Sequence, residues 1–127
     1  MPQTIKQKIG QIGENLAVKH LKKEKYQIVE RNYREKWGEI DIIAKKKNIY
    51  TFIEVKTIAY KYFPQSQNPY LLPEDQMTAK KIKNLNKTIL FYLNKNKINN
   101  FYQLDLITIK IDKTNKKYKL KHYKNIN

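Results

Sequence analysis

The stretch GEIDIIAKKKNIYTFIEVKT, residues 38–57, constrains the fold more tightly than any other part of the chain. Two runs rich in Ile, Val, Phe and Tyr, EIDIIA at 39–44 and NIYTFIEVKTI at 48–58, flank the polar link Lys45–Lys47. That pattern predicts two strands of an antiparallel hairpin laid on a core. Yet Asp41, Glu54 and Lys56 stand inside the runs, and a charge taken out of water must be paired to be tolerated.

Side chains alternate across a strand, so Glu54 and Lys56 project from one face. A hairpin of ordinary length pairs Ala44 near Ile49, which sets Asp41 opposite residue 52 and diagonal to residue 54. Diagonal neighbours lie roughly 7–8 Å apart, close enough for two carboxylates to converge on one cation. A few hard oxygen ligands, with room for water and phosphate, suit Mg²⁺, with Mn²⁺ as the alternative. Lys56 reaches the same space without being a ligand, where an ammonium can orient an attacking water or offset charge on a phosphate. The plainer alternative is a cross-strand ion pair on a solvent-facing side of the sheet.

Around the hairpin, Ile5, Ile9, Ile12 and Leu16 follow helical spacing and predict a helix over residues 4–24. Gly10, Gly13 and Ala17 form a small-residue patch beside that stripe, suited to close packing on a sheet. Glu14 lies at the edge of the face expected to be buried, where its carboxylate can look onto the sheet. YQIVERNYR at 26–34 reads as a first strand. Residues 59–76 hold three prolines and four aromatics without a clear period, a long connection of the kind that is often functional. A second helix is expected from about Glu74 to Asn94, with Met77, Leu85, Ile89 and Leu93 on one side. Lys81 falls in line with Met77, Leu85 and Thr88, a stripe otherwise turned inward. YQLDLITIKI at 102–111 and KYKLKHY at 117–123 read as two strands joined by the turn DKTN. The order αβββαββ predicts an α+β fold with one mixed sheet, and the 127 residues are read as a single domain with a basic C-terminal strand and tail at about 112–127.

Lys and Arg number 27 against 11 Asp and Glu, a formal net charge of +16. Such an excess suits a polyanion, and nucleic acid is the usual one; the plainer source is AT-rich codon usage, which favours Lys and Asn. No apolar run is long enough to span a membrane, and the N-terminus lacks the apolar stretch of a signal peptide, so a cytoplasmic protein with no membrane partner is expected. With no cysteine there is no disulfide framework and no thiolate metal site.

GQIGENLAVKHL at 10–21, RNYREKWGEIDIIA at 31–44 and FIEVKT at 52–57 together resemble the YraN family of small bacterial proteins. The resemblance covers about residues 9–111, and KKIKNLNKTILFYL at 80–93 is similar to the family's second helix. The family is similar to archaeal Holliday-junction resolvases and belongs with the PD-(D/E)xK nucleases. The resemblance therefore implies a restriction-endonuclease-like fold with an αβββαβ core. It implies metal ligation by Asp41 and Glu54, with the Val55 carbonyl as a third ligand, Lys56 as the catalytic lysine and Glu14 as the helix acid. It also matches Lys81 to the family's helix lysine, a nucleic-acid contact, and suggests a homodimer by analogy with the resolvases. Gln103 stands where the family has an arginine, which removes a phosphate contact and leaves the metal site intact.

Arg31 and Arg34 flank the expected site and are candidate phosphate contacts. Trp37 is read as a hydrophobic lid on the sheet in preference to a base-stacking ring. Tyr60, Tyr62, Phe63 and Tyr70 are candidates for stacking on unpaired bases or for anchoring the loop. His20 and His122 show no partner at metal-ligand spacing, and Asp105 reads as a buried hydrogen-bonding residue. The resulting expectation is a Mg²⁺-dependent endonuclease acting on DNA, branched or single-stranded. The rivals are a non-catalytic nucleic-acid-binding module on a nuclease fold and a partner-binding subunit of a larger assembly.

Overall fold

A computed structural model describes residues 2–61, 77–99 and 101–126. The chain runs α1 (Ile5–Lys23), β1 (Gln27–Glu35), β2 (Gly38–Lys46), β3 (Ile49–Tyr60), α2 (Ala79–Lys95), β4 (Tyr102–Asp112) and β5 (Lys117–Tyr123). The strands form one mixed sheet in the order β1-β2-β3-β4-β5. Only β3 and β4 pair in parallel, and α2 lies in the connection between them. This is an α+β architecture, consistent with a restriction-endonuclease-like fold. No helix among the described residues is long and apolar enough to cross a membrane.

Alternation along β3 divides the core into two layers. Ile53 and Val55 pack with Ala17, Val18 and Leu21 of α1, together with Ile42, Ala44, Ile107 and Ile109. Phe52 turns the other way and packs with Leu85, Ile89, Tyr92 and Leu93 of α2, together with Ile40, Ile43 and Leu104. Each fully buried Ile, Leu or Phe contributes about 1.5–3 kcal/mol relative to exposure. By the same parity Glu54 and Lys56 lie on the α2 side, and Thr57 lies on the α1 side.

α1 begins at a reciprocal cap, in which Thr4 Oγ1 accepts the Gln7 N–H at 3.1 Å and Gln7 Oε1 accepts the Thr4 N–H at 2.9 Å. Its buried residues are Gly13, Ala17, Val18 and Leu21, a face turned away from the expected stripe. Ile5 and Ile12 are exposed, whereas Leu16 packs at the margin of the core. The cause is Gly13: a side chain there would run into Thr57, so the helix meets the sheet along its smallest residues. Gly10 faces open space and takes no part in the contact.

α2 starts later than its pattern suggests. Thr78 Oγ1 accepts the Lys81 N–H at 3.2 Å and caps a helix that begins at Ala79. The expected apolar side is otherwise kept, with Leu85, Ile89 and Leu93 buried and Met77 packed beside them. Of the proposed 59–76 loop, Ala59 and Tyr60 belong to β3, and Tyr62, Phe63 and Tyr70 fall outside the described residues.

The helix orientation makes opposite demands on two glycines one turn apart. Gly13→Ala should cost about 1–3 kcal/mol through overpacking against Thr57. Gly10→Ala should add about 0.4–1 kcal/mol by restricting the unfolded chain. Denaturant midpoints of the two variants check this, and equal effects would place α1 on a different face.

Candidate active site

The β2–β3 turn sets the site. Lys47 and Asn48 both hold positive φ, 52° and 64°, as the two central residues of a tight hairpin with Lys46 paired to Ile49. From there the ladder runs Lys45↔Tyr50, Ala44↔Thr51, Ile43↔Phe52 and Ile42↔Ile53. Ala44 therefore pairs with Thr51 and not near Ile49, because β2 extends to Lys46 and the turn occupies two residues. The corrected register sets Asp41 directly across from Glu54 in place of residue 52.

At that point the two strands part. The ladder ends at Ile42↔Ile53, and the Val55 N–H donates to the Asp41 Oδ2 at 2.7 Å. The Asp41 carboxylate thus takes the place of a ladder carbonyl. On its other side, the pairs Arg31↔Ile42 and Tyr33↔Ile40 leave Asn32 facing Asp41. Asn32 has φ 55°, a left-handed conformation that asparagine tolerates better than most residues. The two irregular residues break the alternation of β2, so Ile40 packs toward α2 whereas Ile42 packs toward α1.

Glu54 is buried and carries two ammoniums on one oxygen, Lys56 Nζ at 3.1 Å and Lys81 Nζ at 3.5 Å from Oε1. A cavity of about 290 Å³ opens between the parted strands and α2. Asp41, Glu54 and Lys81 line it, with Trp37, Gly38, Glu39, Asn84 and Leu85. Gly38 is needed at its wall, since a side chain there would meet the Thr88 hydroxyl. The Trp37 ring stands edge-on to Phe91, with centroids 5.1 Å apart, and Lys87 Nζ lies 5.1 Å from the Trp37 ring centroid. The ring therefore packs on α2 at the cavity wall.

The structure thus brings Asp41, Glu54, Lys56 and Lys81 together, and Val55 joins through its N–H. Glu14, on the α1 side, is turned to other partners: its Oε1 accepts from Arg31 Nε at 2.9 Å and from Asn32 Nδ2 at 3.1 Å. Arg31 also donates to Asn15 Oδ1 at 2.7 Å, so its guanidinium is committed to α1. Arg34 sits 3.4 Å from Glu39 as a largely exposed pair of small energetic weight. Asn32, Glu39 and Asn84 escaped the sequence reading. Of these only Asn32 left a trace, as an asparagine in the middle of the first expected strand.

Burial pushes the Asp41 carboxyl up to about 7, aided by the charges of Glu54, Glu14 and Glu39 and opposed by the Val55 N–H. Burial also acts against the Lys56 charge, but contact with Lys81 and the Glu54 carboxylate outweigh it and leave its pKa raised. Lys81 moves down, through burial first and then through Lys56. Two acids meet here in a confined space, and only Glu54 has nearby ammoniums in contact. Asp41 and Glu54 are hard oxygen donors of the kind that Mg²⁺ takes, with water and substrate completing its shell. Among the described residues no three His, Cys, Asp or Glu side chains gather into a metal cage, so such an ion would take its side-chain ligands from these two.

The raised Asp41 pKa fixes a sign. Between about pH 4 and pH 7 the folded chain keeps a proton that the unfolded chain has released, so stability falls as pH rises through that window. Asp41→Asn removes the loss and should be more stable than wild type at pH 8 by about 1–3 kcal/mol, with the difference shrinking toward pH 4. Thermal unfolding of both proteins across this range in chelator tests it; parallel profiles would refute the assignment.

Comparison with known proteins matches residues 13–109 to the uncharacterised protein family UPF0102. A UPF0102 protein of Campylobacter jejuni is 47% identical over 103 residues, covering 81% of this chain and 84% of the relative. A UPF0102 protein of Clostridium botulinum is 41% identical over 119 residues, covering 92% and 91%. The matched span holds every residue of the cavity, and the chain belongs to the UPF0102, or YraN, family.

Proposed function

We propose that this chain is a metal-dependent endonuclease that hydrolyses phosphodiester bonds in DNA, branched or single-stranded, in the cytoplasm. The observation that carries the reading is the parting of β2 from β3 at Asp41, which sets two carboxylates across from each other beside two lysines. Asp41 and Glu54 would hold Mg²⁺ or Mn²⁺, with the Val55 carbonyl as a further donor. Bound there, the ion supplies a Lewis acid and a water of lowered pKa. Lys56 keeps its charge beside Glu54 and is placed to orient that water or to neutralise charge gathering on the phosphate. Lys81 adds a second cation for the phosphate from the α2 side. Glu14, through Arg31 and Asn32, steadies the strand that faces Asp41. The net charge of +16 supplies attraction for a polyanion. A homodimer rests on analogy with resolvases alone.

One observation favours a second reading, a nucleic-acid-binding module without turnover. Glu54 is already neutralised by two ammoniums, so the acid–lysine cluster closes as an ion-pair network.

Cleavage of labelled branched and single-stranded DNA in Mg²⁺ or Mn²⁺ separates the two. The endonuclease reading expects Asp41→Ala and Lys56→Met each to lose about 10²–10³-fold in rate while still binding DNA. If both retain wild-type cleavage, the site is misassigned. Binding that weakens steeply with salt, with no cleavage in wild type on any substrate, favours the module.

A further inference from the structure

Beneath α1, three polar side chains from three elements form one chain of contacts outside the acid cavity. Asp105 of β4 is fully buried and shares the strand parity of Ile107 and Ile109, which pack under α1. Its Oδ1 accepts from Gln103 Nε2 at 3.0 Å and from the Asn125 backbone N–H at 2.9 Å. Its Oδ2 lies 2.7 Å from Nε2 of His122 on β5. The other ring nitrogen of His122, Nδ1, lies 3.1 Å from Nε2 of His20 on α1. The two rings meet edge-on, at 78° with centroids 5.2 Å apart.

Asp105 accepts, so His122 donates from Nε2, and its Nδ1 and His20 Nε2 share one hydrogen that a metal ion would displace. A histidine with one nitrogen given to a carboxylate can give the other to a metal. In a tetrahedral site with metal–nitrogen bonds of about 2.0–2.1 Å, two imidazole nitrogens stand roughly 3.3–3.4 Å apart. The observed 3.1 Å is within a few tenths of an ångström of that separation. His20 is only partly buried, so water can reach the pair.

Lys23 and Lys124 oppose a cation beside His20, and Glu24 favours one, as does the Asp105 carboxylate behind His122. No third His, Cys, Asp or Glu closes the set among the described residues, so water would fill the remaining positions. Neutral imidazole pairs select ions such as Zn²⁺, whereas Mg²⁺ prefers oxygen. We propose that His20 Nε2 and His122 Nδ1 form a two-histidine site for an imidazole-preferring divalent ion such as Zn²⁺. Asp105 is its positioning residue, and the ion clasps α1 to the C-terminal strand.

Calorimetric titration of Zn²⁺ into the full chain, with Mg²⁺ in excess, tests this alongside the thermal midpoint. One Zn²⁺ should bind per chain and raise the midpoint. His20→Gln, at a partly exposed position that tolerates the change, should abolish both effects. Asp105→Asn should weaken binding about 10–100-fold, and Asp41→Asn should leave it unaltered. Wild-type protein that takes no Zn²⁺, a His20→Gln variant that binds as tightly as wild type, or binding lost with Asp41→Asn would each overturn the proposal.

Discussion

The bond from the Val55 N–H to the Asp41 carboxylate is the contact on which the rest of the candidate site depends. An antiparallel ladder would otherwise continue past Ile42 and Ile53 and close the space between β2 and β3. By accepting a backbone donor, Asp41 lets the strands separate without leaving that buried N–H unpaired, an omission that costs about 1–3 kcal/mol. The left-handed Asn32 across from it accommodates the same irregularity on β1. The cavity, the reversal of Ile40 and the approach of α2 all follow from this local break.

The charges in the cavity are arranged asymmetrically. Glu54 has two ammoniums within 3.5 Å, whereas Asp41 is held by a neutral N–H and surrounded by other acids. A buried acid in that setting is stabilised either by a proton or by a cation, and the two compete. That competition links the raised Asp41 pKa to the proposed metal, because a divalent ion must displace the proton to bind. The lysines share one carboxylate, so a change at Glu54 would reach both.

Much of this was legible in the chain. The alternation in EIDIIA and FIEVKT gave the strands, and the Leu85–Ile89–Leu93 stripe gave the inward side of α2. Asp41, Glu54 and Lys56 were identifiable because charge inside an apolar run needs a reason. The register was not legible: three lysines and an asparagine do not announce which two residues adopt positive φ, and the expected pairing was displaced by two residues. On α1 the isoleucine stripe was misread as inward, whereas Gly13 and Ala17 of the small-residue patch do meet the sheet. Glu14 and Arg31 satisfy each other across a helix and a strand, and the His20–His122–Asp105 chain joins residues up to 102 positions apart. Neither arrangement leaves a local signature.

The most direct test of the central claim is Mg²⁺ binding by calorimetry, at pH 8 and in the presence of an uncleavable DNA analogue, to wild type and to Asp41→Asn. Binding to wild type should disappear in the variant, and a repeat at pH 6, where Asp41 holds its proton, should show weaker binding to wild type with protons released. Equal binding to both proteins, or none to either, would contradict a metal site at the parted strands and leave the acids and lysines as an ion-pair network.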